Sequence, residues 1–293
     1  MIAIDWGTSN LRAYRINEVG DVIERRSFAG GILRIQNGRF AEALVAQVGD
    51  WLAAGESRIL LSGMVGSRQG WVETGYLPCP VGLADLAHAV VKVPLPGAEV
   101  LLIPGVRGTD SYGVPEVMRG EETEAMGVLE ACGGAGLVCL PGTHSKWINV
   151  RDNVITSFIT CMTGDVFAAL RNSTILSRIM TTDPAVDNEA FLRGVARSAD
   201  SGGLLHHLFS VRTLALMDQL KEEASASYLS GLLVGHEVRA AMPPGAHVRL
   251  VGDSRLCSLY SQAISAGQGT FTLEDADAAA RGFAAVGRRL GWI

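Results

Sequence analysis

The sequence predicts an α/β fold built twice over, two units that each open on three short strands and continue in helices. Three observations carry this. Apolar runs of strand length, punctuated by Gly, Asp and Asn turns, open the chain and recur near its middle. After each set the apolar residues shift to helical spacing, in 39–54 and again in 165–176. The two sets also match in phase, so that Gly7 falls on Gly142 and Thr8 on Thr143.

The first copy reads as a strand Ile2-Ala3-Ile4, a turn Asp5-Trp6-Gly7-Thr8-Ser9-Asn10, a strand over 11–17, a turn at Gly20-Asp21 and a strand over 22–28. The second repeats the order, with a strand at 137–140, the turn Pro141-Gly142-Thr143-His144-Ser145, a strand over 146–150, a turn at 151–153 and a strand over 154–160. Between them, 119–130 is a Glu-rich helix-forming run entered through Gly120, a candidate bridge between the halves. Near the end, a short strand over 247–251 runs into Gly252-Asp253-Ser254 and a helix over 256–266, and the Ala-rich stretch 274–290 is a last helix. No low-complexity linker separates these parts. The expected organisation is therefore an N-terminal lobe, 1–130, a C-terminal lobe, 131–275, and a C-terminal helix, 276–293, returning toward the N-terminal lobe.

Composition narrows the function. The chain has 293 residues, 48% of them apolar and 19% charged, and a net charge of -5. This is the balance of a globular protein with a sizeable core. A mildly acidic chain without a Lys/Arg block has no electrostatic footprint for nucleic acid or an anionic membrane, and small anionic ligands, held locally, fit better. The 5 cysteines form no C-x-x-C pair. They read as reduced thiols of a cytoplasmic protein. Neither a secretory signal nor an uninterrupted apolar span of roughly 20 residues is present.

The paired turns carry the chemistry. Two Gly- and hydroxyl-bearing hairpin turns offer backbone N–H groups and side-chain donors to a polyphosphate from two sides: Gly7, Thr8, Ser9 and Asn10 on one, Gly142, Thr143, His144 and Ser145 on the other. Asp5, ending the first strand, is suited to magnesium held through its water, because Mg²⁺ takes few carboxylates and keeps much of its hydration. Other frameworks fall away: G-x-x-x-x-G-K-[ST] and G-x-G-x-x-G are both missing, and His236-Glu237 lacks the second His of a zinc protease.

Asp5 to Arg12 resembles the first phosphate motif of the sugar kinase, heat-shock chaperone and actin superfamily, Gly142 to Lys146 its second, and Val251-Gly252-Asp253-Ser254 its adenosine motif. With Ser62 to Arg68 and Met118 to Thr123, the chain is similar throughout to the 2-dehydro-3-deoxygalactonokinase family. The resemblance implies a two-lobed actin-like ATPase fold, ribonuclease H-like, with duplicated β-sheet lobes around an ATP cleft. It implies transfer of the γ-phosphoryl group of ATP, with Mg²⁺, to the 6-hydroxyl of 2-dehydro-3-deoxy-D-galactonate. Glu121 or Glu122 matches the catalytic base, with Asp110 a weaker candidate, and Gly252, Asp253 and Ser254 match the nucleotide site. For the acceptor, Gly30, Gly31, Arg68, Trp71, Glu73 and Arg119 are candidates, because a sugar acid wants a cationic partner for its carboxylate and a polar or aromatic wall for its carbons. A kinase of another sugar acid or hexose, or an actin-like regulatory or structural ATPase, keeps the same phosphate motifs. Nucleic acid and membrane are not expected partners, and a homodimer is compatible with the sequence.

Overall fold

The structure, a computed structural model, describes residues 1–129, 132–181, 185–275 and 277–293. The chain forms two compact units, one of Met1–Gly136, Ile148–Phe158 and Asp275–Ile293, the other of Leu137–Trp147 and Ile159–Glu274. The expected lobe boundaries fall at residues 130, 131 and 276, outside the described residues.

The first unit begins with β1 (Ile2–Trp6), β2 (Leu11–Ile16) and β3 (Val22–Phe28), followed by α1 (Phe40–Ala53) and β4 (Arg58–Ser62). In β1 the alternation Ile2, Ile4, Trp6 puts three large side chains on one face, where they join Leu11 and Ala13 of β2 in the core. Helix α1 meets them with Phe40, Leu44, Val48 and Trp51, all buried at helical spacing. Short elements follow: β5 (Tyr76–Pro78), β6 (Val81–Gly82), α2 (Leu83–His88), β7 (Val91–Val93), β8 (Glu99–Leu102), β9 (Gly105–Thr109), β10 (Pro115–Met118) and α3 (Glu121–Met126). The main sheet has the order β3-β2-β1-β4-β8-β7. Its β1 pairs antiparallel with β2 and parallel with β4, which sets Asp5 beside both Arg12 and Ser62. A second sheet, β10-β9-β5, has three strands.

The chain continues in β11 (Gly136–Leu140), β12 (Ser145–Arg151), β13 (Val154–Cys161) and α4 (Thr163–Ser173), of which Ile148–Phe158 belongs to the first unit. Helices α5 (Asn188–Arg197), α6 (Gly203–Leu216) and α7 (Glu222–Ala241) come next, then β14 (His247–Leu250), α8 (Ser254–Ala266) and β15 (Thr270–Leu273). The third sheet has the order β15-β14-β11-β12-β13-β6, and its first five strands repeat the arrangement β8-β4-β1-β2-β3. The duplication read from Gly7 and Gly142 is thus a duplication of sheet topology, with β14 parallel to β11 as β4 is to β1.

The last helix, α9 (Ala278–Arg289), belongs to the first unit and packs on α3 and α2. It approaches α3 backbone to backbone: a Cβ on Gly282 would stand 1.9 Å from the Thr123 carbonyl oxygen, and one on Gly127 1.8 Å from that of Ala278. Helix α3 itself is shorter than the expected 119–130, ending at Met126, and Glu130 lies outside the described residues. All five cysteines are free thiols. Among the described residues, no helix is long and apolar enough to cross a membrane.

Candidate active site

In the first unit, the turn between β1 and β2 is closed by a hydrogen bond from the Gly7 N–H to the Asn10 carbonyl, 2.9 Å. Segment 31–33 lies along it, with N–H groups of Gly31, Ile32 and Leu33 donating to the carbonyls of Ser9, Gly7 and Thr8 at 2.9, 3.0 and 3.3 Å. In a trans peptide the N–H points opposite the C=O, so the amides of Thr8, Ser9 and Asn10 face away from this support, on the exposed side of the turn. That is an anion-binding arrangement. Gly31 is there for closeness: a Cβ would stand 2.2 Å from the Thr8 carbonyl oxygen. Gly30 accepts the Trp6 indole N–H at 3.0 Å. Both glycines therefore brace the turn between β1 and β2.

Four carboxylates gather where β1 meets the start of α3. Asp5, with a side chain 21% exposed, stands 3.6 Å from the Arg12 guanidinium. Burial pushes its carboxyl up to about 6, against the pull of Arg12 and with a further push from Glu121. Glu124 is pushed up to about 8 by burial and then by Asp5. Glu122 is fully buried. Its Oε2 accepts the Gly120 N–H at 2.7 Å, and its Oε1 accepts the Ser62 hydroxyl at 3.1 Å and the Thr123 hydroxyl at 3.3 Å. Burial, reinforced by the neighbouring Glu121, raises it to about 7. Glu121 is partly exposed and accepts the Arg119 N–H at 3.0 Å. Of the two glutamates read as base candidates, Glu121 alone reaches solvent, and Glu122 acts as an internal tie. Asp110 is occupied elsewhere, its carboxylate accepting from the N–H groups of Tyr112 and Val114 in the exposed β9–β10 turn.

The acceptor candidates divide. Arg119 is 8% exposed, donates to the hydroxyl and, at 2.9 Å, the carbonyl of Thr74, and lies 4.4 Å over the Tyr76 ring. Its Nε is buried without a partner, a spare donor. Arg68 and Glu73 are strongly exposed and 3.6 Å apart. Trp71 stacks on Phe40 at 6.3 Å and packs against the core. Thr74, Tyr76 and Glu124 carry no motif that would have marked them in the sequence.

In the second unit, Thr143 and His144 of the corresponding turn are exposed. The start of α4 closes on it: the Asp165 N–H donates to the Thr143 carbonyl at 3.1 Å, and a Cβ on Gly164 would stand 2.6 Å from the Gly142 carbonyl oxygen. His144 faces Asp165 at 3.5 Å. Ser145 departs from the expectation. It is wholly buried, and its hydroxyl meets the Tyr260 hydroxyl at 2.8 Å and Glu237 at 3.4 Å, so it is engaged inside the unit and not presented at the exposed turn. The physical reason is that Ser145 opens β12 on the same face as Trp147, and that face meets Glu237 of α7 and Tyr260 of α8. Gly252 takes φ +129°, open to glycine, and Asp253 caps α8 by accepting from the N–H groups of Arg255 and Leu256 at 3.0 and 3.1 Å. Ser254, exposed, begins that helix. A cavity of about 460 Å³ is lined by Gly142 and Asp253 together, with Phe167, Ser227, Ser230 and Tyr260. The turn at Gly142 and the turn at Asp253 thus share one hollow.

Comparison with known proteins agrees with this geometry. Residues 5–286 match the family model described as 2-keto-3-deoxy-galactonokinase. The chain is 34% identical to the Rhizobium meliloti (strain 1021) protein named Probable 2-dehydro-3-deoxygalactonokinase DgoK1, over 99% of this chain and 97% of that one. It is also 34% identical to the 2-dehydro-3-deoxygalactonokinase of Escherichia coli (strain K12), over 90% and 89%. The crystal structure of a Sinorhizobium meliloti protein, provisionally assigned as a 2-dehydro-3-deoxygalactonokinase, superposes with a TM-score of 0.90 over 98% of both chains at 34% identity. At 12% identity, the ADPNP-bound activator of the 2-hydroxyisocaproyl-CoA dehydratase from Clostridium difficile shares the fold alone, with a TM-score of 0.51 over 97% and 92%. Duplicated sheet order and full-length similarity together establish that this chain has the α/β actin-like ATPase fold and belongs to the 2-keto-3-deoxy-galactonokinase family.

Proposed function

We propose that the chain transfers the γ-phosphoryl group of ATP to the 6-hydroxyl of 2-dehydro-3-deoxy-D-galactonate, a step of galactonate breakdown in the cytoplasm. The observation that carries this is the meeting of Gly142 and Asp253 on one nucleoside-sized cavity, in a chain similar over its length to kinases of that name.

In this reading the exposed amides of Thr8, Ser9 and Asn10, and the Gly142-Thr143 turn with His144, bind the phosphates of ATP. Asp5 suits magnesium held through water: it supplies one partly exposed carboxylate, and among the described residues no group of three or more His, Cys, Asp and Glu is arranged to hold a metal ion alone. Bound magnesium supplies charge neutralisation on the β- and γ-phosphates. Glu121 accepts the proton of the attacking hydroxyl, and Glu122 and Ser62 hold the start of α3 in place for it. Arg119, with its spare Nε, serves the acceptor carboxylate, and Arg68 and Glu73 form an exposed polar edge beside it.

The test is product analysis. Purified protein with Mg-ATP and 2-dehydro-3-deoxy-D-galactonate should give stoichiometric ADP and an ester at C6, seen by ³¹P–¹H correlation. Turnover equal with and without the sugar acid would instead mean a regulatory or structural ATPase, and a hexose outpacing it would move the acceptor class.

A further inference from the structure

Behind the second phosphate turn lies a buried acid that the phosphate reading leaves without a task. Glu237, in α7, is 5% exposed. Its Oε1 accepts the Trp147 indole N–H at 2.7 Å, and its Oε2 accepts the Tyr260 hydroxyl at 2.7 Å and the Ser145 hydroxyl at 3.4 Å. The Thr163 side chain adds another hydrogen bond. None of these partners is a cation. A buried carboxylate is costly unless its lone pairs are filled, and here neutral donors from three elements fill them: β12, the first residue of α4, and α8.

Those elements build the nucleotide hollow. Thr163 and Tyr260 line the cavity, and Ser145 and Trp147 follow directly on the Gly142-Thr143 turn, whereas Glu237 does not touch the cavity. The hydrogen bonds also have a direction. The one hydroxyl proton of Tyr260 goes to Glu237, so the single Ser145 proton is shared between the Tyr260 oxygen at 2.8 Å and Glu237 at 3.4 Å, in a chain running from the turn to the acid. A leucine or methionine would fill the same volume without fixing any of these groups. Burial raises the Glu237 carboxyl while the four hydrogen bonds pull it down, as expected for an acid satisfied by neutral donors.

We infer that Glu237 is a positioning residue for ATP: it locks the second phosphate turn, the start of α4 and the Tyr260 wall into one register, so that the nucleotide site is preformed. This rests on reading the cavity as the nucleoside site.

The experiment uses the full chain and measures KM for ATP, KM for the acceptor, kcat and Tm. Tyr260→Phe keeps the ring and deletes the link; Glu237→Gln keeps the volume and replaces one acceptor by a donor. Each should raise KM for ATP roughly fivefold or more, as loss of a buried hydrogen bond predicts, with acceptor KM held within about twofold. The double variant should be no worse than the poorer single one, because both break one chain. A lower Tm with unchanged KM for ATP in Tyr260→Phe would overturn the proposal, leaving Glu237 as core structure; that variant decides the matter if Glu237→Gln does not fold. Ser230→Trp separates the underlying reading. It fills the cavity without touching the hydrogen-bond chain, so an unchanged KM for ATP there rejects the nucleoside site itself, whereas a raised KM there with none in Tyr260→Phe rejects the role of Glu237 alone.

Discussion

Replacing Glu122 by Gln tests whether this residue is a structural tie. In the folded chain its carboxyl is pushed from 4.5 to about 7, chiefly by burial. Below pH 4.5 the acid is protonated folded and unfolded, and it makes no pH-dependent difference. Between 4.5 and about 7 the unfolded chain has lost this proton and the folded chain keeps it, so stability falls as pH rises. At 1.36 kcal/mol per unit, the loss is roughly 2 to 4 kcal/mol by pH 8. Gln mimics the protonated form: its Oε1 can accept the Gly120 N–H while its amide donates to Ser62. Glu122→Gln should therefore match the parent in urea unfolding at pH 5 and exceed it by roughly 1 to 3 kcal/mol at pH 8. The reasoning is refuted if the parent and the variant lose the same stability between those pH values.

Glu121→Gln should lower kcat by roughly 10²–10⁴-fold with little change in either KM, as removal of a general base does, read in a coupled ADP assay; Glu122→Gln should stay within about tenfold of the parent. Gly31→Ala places a methyl group where the Thr8 carbonyl stands, so the phosphate turn must move, at a cost of about 1–3 kcal/mol in unfolding and with a raised KM for ATP. Asp253→Ala removes the cap of α8 and should cost about 1 kcal/mol in denaturant titration. Arg119→Met should raise the acceptor KM about tenfold or more and leave KM for ATP in place, if its spare donor meets the carboxylate.

Much of the fold was legible because the chain states its strands plainly. Ile2-Ala3-Ile4 and 137–140 are apolar runs ended by Gly-bearing turns, and their phase match gave the duplicated sheet before any pairing was known. Helix α1 was equally clear, its buried residues recurring at helical spacing. The site was legible at the turns and opaque behind them. Nothing local distinguishes Ser145 from Thr143; one begins the buried strand β12 and the other stays in the exposed turn before it. Glu237 invited comparison with a zinc motif because of His236, but its partners lie 23 to 92 positions away, and such distant convergence leaves no spacing to read. Gly30 and Gly31 read in the sequence as acceptor candidates, and the need for Gly31 is visible only where another backbone runs against it.

The glycine contact between α9 and α3 bears on how the chain is made. A ribosome delivers residues 1–136 early, yet the face of α3 that meets α9 stays uncovered until Asp275–Ile293 has emerged. Domains tend to fold as they leave the ribosome, but this unit joins segments made far apart in time. The nascent chain should thus remain inert until residues 275–293 have been made, and a product truncated before Ala278 should be inactive for want of the helix on which α3 packs.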